Sequence, residues 1–305
     1  MLEQITPLIL TYNEAPNIGR TLEKLCWARD IVVVDSFSDD ETLEIVSRFP
    51  QVRIFQRKFD THQRQWNFGL HATEIKTDWT LALDADYVLT QEMVDELAEL
   101  QPSLETCGYR AKFTYCVNGS PLRSGLYPPV TILYRRVGAS YEQDGHTQRL
   151  SVEGQIIDLS SPILHDDRKP LSRWFKSQQK YTRQEAEKLL VEPRENLSWT
   201  DRVRQMRILA PGAMLFYCLI VRRGILDGKA GFDYAFQRMI AEAMLSVQLL
   251  EHDLATREGN GNGKLVTGNG VNGKRRKIRA GQSKSRDELL NPGPARDELV
   301  SDLIK

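Results

Sequence analysis

Short apolar runs alternate with longer amphipathic stretches over roughly the first hundred residues. Residues 7–11, 31–35, 52–55 and 79–83 read as strands. The β-branched run Ile31-Val32-Val33-Val34 has the near-continuous apolarity of a strand buried on both faces. Between them, residues 15–27 carry Ile18, Leu22 and Leu25 on one helical face. Further helices are predicted over 40–49, entered through the acidic cap Ser38-Asp39-Asp40, and over 63–73 and 91–100. Strands interleaved with helices imply an α/β fold with a mostly parallel sheet covered on both faces. Ligands of such sheets bind beyond the carboxyl ends of the strands, so residues 11–14, 35–39 and 84–86 are expected on one rim.

The pattern changes after about residue 105. Segments 108–113, 131–134 and 155–159 look like strands, the first two separated by a loop rich in Gly and Pro. A helix is predicted over 169–191. One stripe carries Leu171, Trp174, Phe175, Gln178, Thr182, Ala186 and Leu189, and the other face Arg173, Lys176, Lys180, Arg183 and Lys188. A helical pattern resumes over 235–250. From about residue 256 the chain turns to Gly, Asn, Lys and Arg, a composition that cannot bury a core and predicts a disordered tail. Three regions follow: a core over 1–168, a helical region over 169–255 and a tail over 256–305.

Composition narrows the classes. With 41 Lys and Arg against 41 Asp and Glu, the 305-residue chain has no net field to recruit nucleic acid. Its four cysteines lack metal-ligand spacing. Cys107 and Cys116 could bridge a hairpin, but a reduced cytoplasmic setting is the expectation. The opening Met1-Leu2-Glu3-Gln4 has no basic n-region and no long apolar stretch, so no signal peptide is predicted. No segment reaches the ~20 apolar residues that span a bilayer; the nearest, 211–221, runs straight into Arg222 and Arg223.

The chemistry concentrates where the fourth strand ends. In Leu83-Asp84-Ala85-Asp86 two carboxylates are separated by one small residue, so strand alternation can aim both the same way. Hard oxygen donors of this kind suit Mg²⁺ or Mn²⁺, which in turn hold phosphates. A polar turn is the structural alternative. No G-x-G-x-x-G follows the first strand, which disfavours a dinucleotide oxidoreductase.

The series Thr11-Tyr12-Asn13-Glu14, Val32-Val33-Val34-Asp35-Ser36, Gln63-Arg64 with Asn67-Phe68-Gly69, and Leu83-Asp84-Ala85-Asp86 resembles the family 2 glycosyltransferases. These are inverting enzymes of the GT-A fold. The finer pattern, including Ile163-Leu164-His165 ahead of a basic helix, is similar to the branch that adds a hexose to the inner core of lipopolysaccharide. The resemblance implies a metal-dependent hexosyltransferase taking a nucleotide-diphosphate sugar, a UDP-hexose with glucose as the hexose, to a lipid-linked glycan. It places Thr11, Tyr12, Asn13, Glu14, Asp35, Arg64, Asn67, Asp84 and Arg168 around the donor. Asp35 would accept the imide N–H of uracil, its alternative being an N-cap. Asp86 would bind the metal, with Asp84 on the ribose hydroxyls or on the metal through water, and His165 completing the metal site or gripping the diphosphate. Arg168 and Lys169 would neutralise departing phosphate charge.

Inversion needs a base opposite the leaving group. The segment Tyr141-Glu142-Gln143-Asp144-Gly145-His146 offers Asp144 first and Glu142 second; relatives carry a Glu directly after this His, where Thr147 stands here. Processive polymer synthases are disfavoured because Pro170 occupies the Gln position of their Gln-x-x-Arg-Trp motif, ahead of Arg173-Trp174. A polyprenyl-phosphate glycosyltransferase and a non-catalytic nucleotide- or glycan-binding protein are the alternatives. The basic stretch 169–188 and the apolar patch 214–221 suggest peripheral contact at the inner face of the cytoplasmic membrane.

Overall fold

Every residue of the strand Ile31–Asp35 (β2) is buried, as its unbroken apolar run requires. The computed structural model describes residues 1–144, 147–193 and 195–261. Around β2 lie β1 (Ile5–Thr11), β3 (Val52–Gln56) and β4 (Trp79–Asp84), all parallel. Their crossovers carry α1 (Ile18–Glu23), α2 (Thr42–Ser47) and α3 (His62–Ala72). After β4 come β5 (Tyr87–Leu89), α4 (Gln91–Glu99), β6 (Thr106–Ala111), β7 (Phe113–Val117), β8 (Ser120–Pro121) and β9 (Val130–Arg135). A hairpin of β10 (Ser140–Asp144) and β11 (Thr147–Ser151) precedes β12 (Gln155–Asp158) and β13 (Ile163–His165). The main sheet runs β12-β6-β9-β4-β1-β2-β3, and a smaller one runs β5-β13-β7-β8. β9 is antiparallel to both its neighbours, so the sheet is mixed, and its β4-to-β3 half is parallel as the alternation predicts.

Alternate residues of the parallel strands feed two cores. Ile9, Val33 and Leu83 meet Leu22 of α1, Val46 of α2 and Met93 of α4. Leu8, Val32 and Ala82 meet Trp66 and Leu70 of α3 on the other face, the period of two expected of a strand. Gly69 lets α3 approach β1: a Cβ there would lie 2.7 Å from Cδ1 of Leu8. The four cysteines carry free thiols.

The C-terminal helical region comprises α5 (Leu171–Val191), α6 (Trp199–Arg204), α7 (Ala210–Phe216) and α8 (Gly228–Gly261). Two expectations are corrected here. The helix predicted to end near 250 runs to Gly261, so the first residues assigned to the tail are helical; residues 262–305 lie outside the described residues. The stripe on α5 is buried from Gln178 through Thr182, Ala186 and Leu189, but Leu171 and Phe175 stay exposed. Those first turns lie beside the loop after β1, where Arg173 donates to the carbonyls of Tyr12 and Asn13, and only later turns join the core with Leu245 and Leu249 of α8. Buried between these helices, Arg204 pairs with Glu185 and Glu242.

Candidate active site

Thr11 and Asp35 end β1 and β2 in register. The Thr11 hydroxyl donates to Asp35 Oδ1 at 2.9 Å, the Ser38 N–H donates to Oδ2 at 2.8 Å, and the Ser38 hydroxyl donates to Oδ1 at 2.5 Å. Asp35 is wholly buried. Its oxygens, assigned from sequence to a base N–H, are occupied here in anchoring the next loop. Asn13, at φ 56°, clasps that loop: its N–H donates to Ser38 Oγ, Nδ2 donates to Asp39 Oδ1 at 2.6 Å, and Oδ1 accepts the Asp39 N–H at 2.8 Å. Tyr12 and Phe37 stand exposed on the two loops, and the Arg173 guanidinium lies 5.7 Å from the Tyr12 ring centroid.

At the end of β4, Asp84 is half-buried and Asp86 buried. β13 lies against β5, which puts His165 opposite Tyr87 and its Nε2 3.2 Å from Asp86 Oδ2. The imidazole is ringed by Tyr87, Tyr115 and Tyr127, with centroids 4.7 to 5.2 Å away, and its Nδ1 is buried without a hydrogen-bond partner. Burial works against charge on both groups. For Asp86, His165 and Lys169 outweigh it and hold the carboxyl below its usual pKa; for His165, Asp86 outweighs it and raises the imidazole. Burial also pushes the phenols of Tyr87, Tyr115 and Tyr127 up, so they remain protonated donors.

Glu14 closes the site from the β1 loop. Its Oε1 accepts from Lys169 Nζ at 2.8 Å and its Oε2 from Asn17 Nδ2 at 2.9 Å, while the same Asn17 nitrogen reaches Asp167 Oδ1 at 2.8 Å. Burial pushes Glu14 up to about 7, against the pull of Lys169. Burial would lower Lys169, but Glu14, Asp86 and Asp167 together raise it, so the ammonium stays charged. Of the two cations expected to face the donor, Lys169 acts on Asp86. Arg168 turns away and forks onto Asp166, which also pairs with Arg20. The reason is alternation along an extended segment: neighbouring side chains point to opposite sides.

A cleft of about 650 Å³ opens beside this cluster, lined by Asp84, Tyr87, Tyr127, Trp66 and Glu142. Glu142 reaches it on β10, and Asn67 holds that strand in place. Asn67 Nδ2 donates to the Tyr141 carbonyl and Oδ1 accepts the Tyr141 N–H, both at 2.8 Å, so its amide is committed to β10 rather than to a donor. Asp144 ends β10, its backbone opposite Thr147; its side chain, Gly145 and His146 lie outside the described residues. Arg64 sits apart, exposed on the first turn of α3 and paired with Asp60 at 3.3 Å. Sequence reasoning missed Asn17, which ties Glu14 to Asp167, and the tyrosines around His165. Only their placement on β5, β7 and the loop before β9 reveals the cage.

Among the described residues no three His, Cys, Asp or Glu side chains are gathered to hold a metal by themselves. The donor set still suits a divalent cation shared with a ligand. Asp86 Oδ2 and His165 Nε2, hydrogen-bonded to each other at 3.2 Å, are an oxygen and a nitrogen donor that a divalent cation would take in place of the proton between them. Mg²⁺ commonly takes only one or two carboxylates and leaves the rest to phosphates and water.

Two curated relatives, both described as uncharacterized glycosyltransferases, come from Rickettsia bellii and Rickettsia felis. They are 32% identical over 98 residues and 31% identical over 97 residues. Each match covers 32% of this chain, and about a third of the relative's own length (32% and 33%). Among solved structures, residues 1–349 of Staphylococcus aureus TarS in complex with UDP-GlcNAc align with TM-score 0.40 and 14% identity, over 77% of this chain and 90% of that one. Glucosyl-3-phosphoglycerate synthase from Mycobacterium tuberculosis, in complex with Mn²⁺, UDP and glucosyl-3-phosphoglycerate, aligns with TM-score 0.38 and 12% identity, over 56% and 74%. The stretch that builds the rim, residues 8–138, matches the family model described as Glycosyl transferase family 2.

Proposed function

We propose that this protein is an inverting, divalent-metal-dependent glycosyltransferase that moves a hexose, glucose, from a UDP-sugar to a lipid-linked glycan such as lipopolysaccharide core, at the inner face of the cytoplasmic membrane. The observation that carries the reading is the meeting of Asp84, Asp86, His165 and Lys169 at the carboxyl edge of the parallel strands, next to a cleft that also holds Glu142. The family match over residues 8–138 supports the reaction class. The resemblance of the motif series alone supports the sugar and the acceptor.

The transfer breaks the bond from the anomeric carbon to the diphosphate oxygen, leaving the electron pair on that oxygen, as the acceptor oxygen bonds from the opposite face. Lys169 brings positive charge toward the departing diphosphate from a site where burial strengthens its field. The tyrosines exclude water and hold His165 in one orientation. A divalent cation bound at Asp86 and His165 would act as a Lewis acid on the same phosphates. The acceptor hydroxyl gives its proton to a carboxylate of the β10–β11 hairpin, Asp144 or Glu142.

The test is release of UDP from UDP-glucose in Mn²⁺ or Mg²⁺ with a glycolipid extract as acceptor. We expect turnover in the wild type and a fall of at least ~10²-fold in Asp86→Ala, on the scale of losing one electrostatic group at a reacting centre. Equal turnover in the two proteins, or donor binding without release toward any acceptor, would overturn the reading.

A further inference from the structure

α7 ends in a π-helical turn over Tyr217–Val221, and a 3₁₀ turn over Gly224–Asp227 leads into α8. The two helical stretches meet at a bend of 69°. The bend is fixed by the backbone. Arg223 is left-handed at φ 59°, and a Cβ on Gly224 would lie 2.7 Å from the Cys218 carbonyl oxygen. One side of this corner is core, with Cys218, Tyr234, Ala235 and Leu122 packed together. The other side is bare: Phe216, Tyr217, Ile220, Val221, Ile225 and Leu226 are all exposed, Phe216 at 60% and Leu226 at 64%. So concentrated an apolar exposure marks an interaction surface.

The charges around it are mainly positive. Arg222, Arg223 and Lys229 flank the corner, and Arg123 comes from the loop beside it. The single acid of the corner, Asp227, accepts the backbone N–H groups of Arg123 and Ser124 with its Oδ2. An apolar ridge set in cations is complementary to an anionic lipid surface: the aliphatic and aromatic groups enter the headgroup boundary, and the guanidinium and ammonium groups meet phosphate.

We propose that this corner, residues 216–229, docks the protein on the surface of an anionic bilayer. It lies on the membrane and does not cross it. Among the described residues no single helix is long and apolar enough to span. The bent pair that has the length carries behind it the buried Arg204–Glu242 and Arg204–Glu185 ion pairs, which hydrocarbon would not accept. A second cleft of about 710 Å³, lined by Lys112, Arg123, Arg222 and Leu226, opens at the corner and shares Tyr127 and Pro129 with the cleft that holds Asp84. On the glycosyltransferase reading, which this last step rests on, a lipid-linked acceptor reaches the reacting centre past that shared wall.

The experiment is flotation of the full chain with vesicles of phosphatidylcholine alone or with about one third phosphatidylglycerol, at low and high salt. We expect flotation with the anionic vesicles that weakens in salt. It should fall at least ~10-fold in the triple variant Phe216→Ser, Ile220→Ser, Leu226→Ser and again in Arg223→Glu with Lys229→Glu, since each basic residue near such a surface is worth about fivefold. These positions are exposed, so circular dichroism and melting of the variants should match wild type. No flotation with anionic vesicles at low salt would overturn the proposal. So would a dimer that disperses in the triple variant, because the ridge would then be an interface between copies. UDP release in free solution, measured in parallel, separates the two readings: lost flotation with intact release sinks the docking alone, whereas flotation without release supports it and sinks the transferase.

Discussion

Glu14 and Lys169 are 155 residues apart in sequence and 2.8 Å apart in space, and their chemistry sets a pH dependence. Native Glu14 titrates at about 7 against an ordinary 4.5. Between those values the folded chain holds a proton that the unfolded chain has lost, so this group adds stability as pH falls from about 7 to 4.5. Relative to Glu14→Gln, the wild type should gain up to about 3 kcal/mol between pH 8 and pH 5 in urea unfolding. A flat difference would show that Glu14 titrates normally. Lys169→Gln should lower UDP release by about 10²-fold while donor binding, followed by calorimetry, falls less; equal losses would make it a binding residue only. Arg168→Gln, its side chain being spent on Asp166, should retain most turnover in the same assay.

At the scale of elements, α3 sits where it does because Gly69 admits Leu8. Leu8 is fully buried and has nowhere to retreat. Gly69→Ala should therefore cost about 1–2 kcal/mol despite the better helix propensity of Ala. Leu8→Val in the same chain should recover part of that loss, and thermal melts of the two single variants and the double variant check it. The elements that sequence made legible are those whose pattern is local. β1 to β4 and α3 and α4 fall within a residue or two of expectation, because period two and period 3.6 are set by neighbours in the chain. β5 is short and pairs with β13, far along the sequence; β8 is two exposed residues with no apolar period; and Tyr141 of the β10–β11 hairpin finds its apolar partner in Trp66 of α3. The rim was legible for the same reason as the strands that end in it. Which side chains face the cleft was not. Asn67 is committed to Tyr141, Asp35 to Ser38, and Arg64 to Asp60, partners supplied by the fold or by a loop conformation.

For the whole molecule, Arg204 joins three helices by pairing with Glu185 on α5 and Glu242 on α8 from its own place on α6. Arg204→Met would remove the cation that two buried carboxylates share, and we expect a loss of about 3–5 kcal/mol, seen as an early transition of the helical region in denaturant. The strap from His165 to Arg173 joins that region to the rim. It delivers Asp167 to Asn17, Lys169 to Glu14 and Arg173 to the Tyr12 and Asn13 carbonyls. The two halves of the chain are for this reason not interchangeable parts. A chimera that borrows a different C-terminal half must either keep this strap or supply its own cation for Glu14, because otherwise the graft would begin life with a buried acid at the rim and no cation beside it.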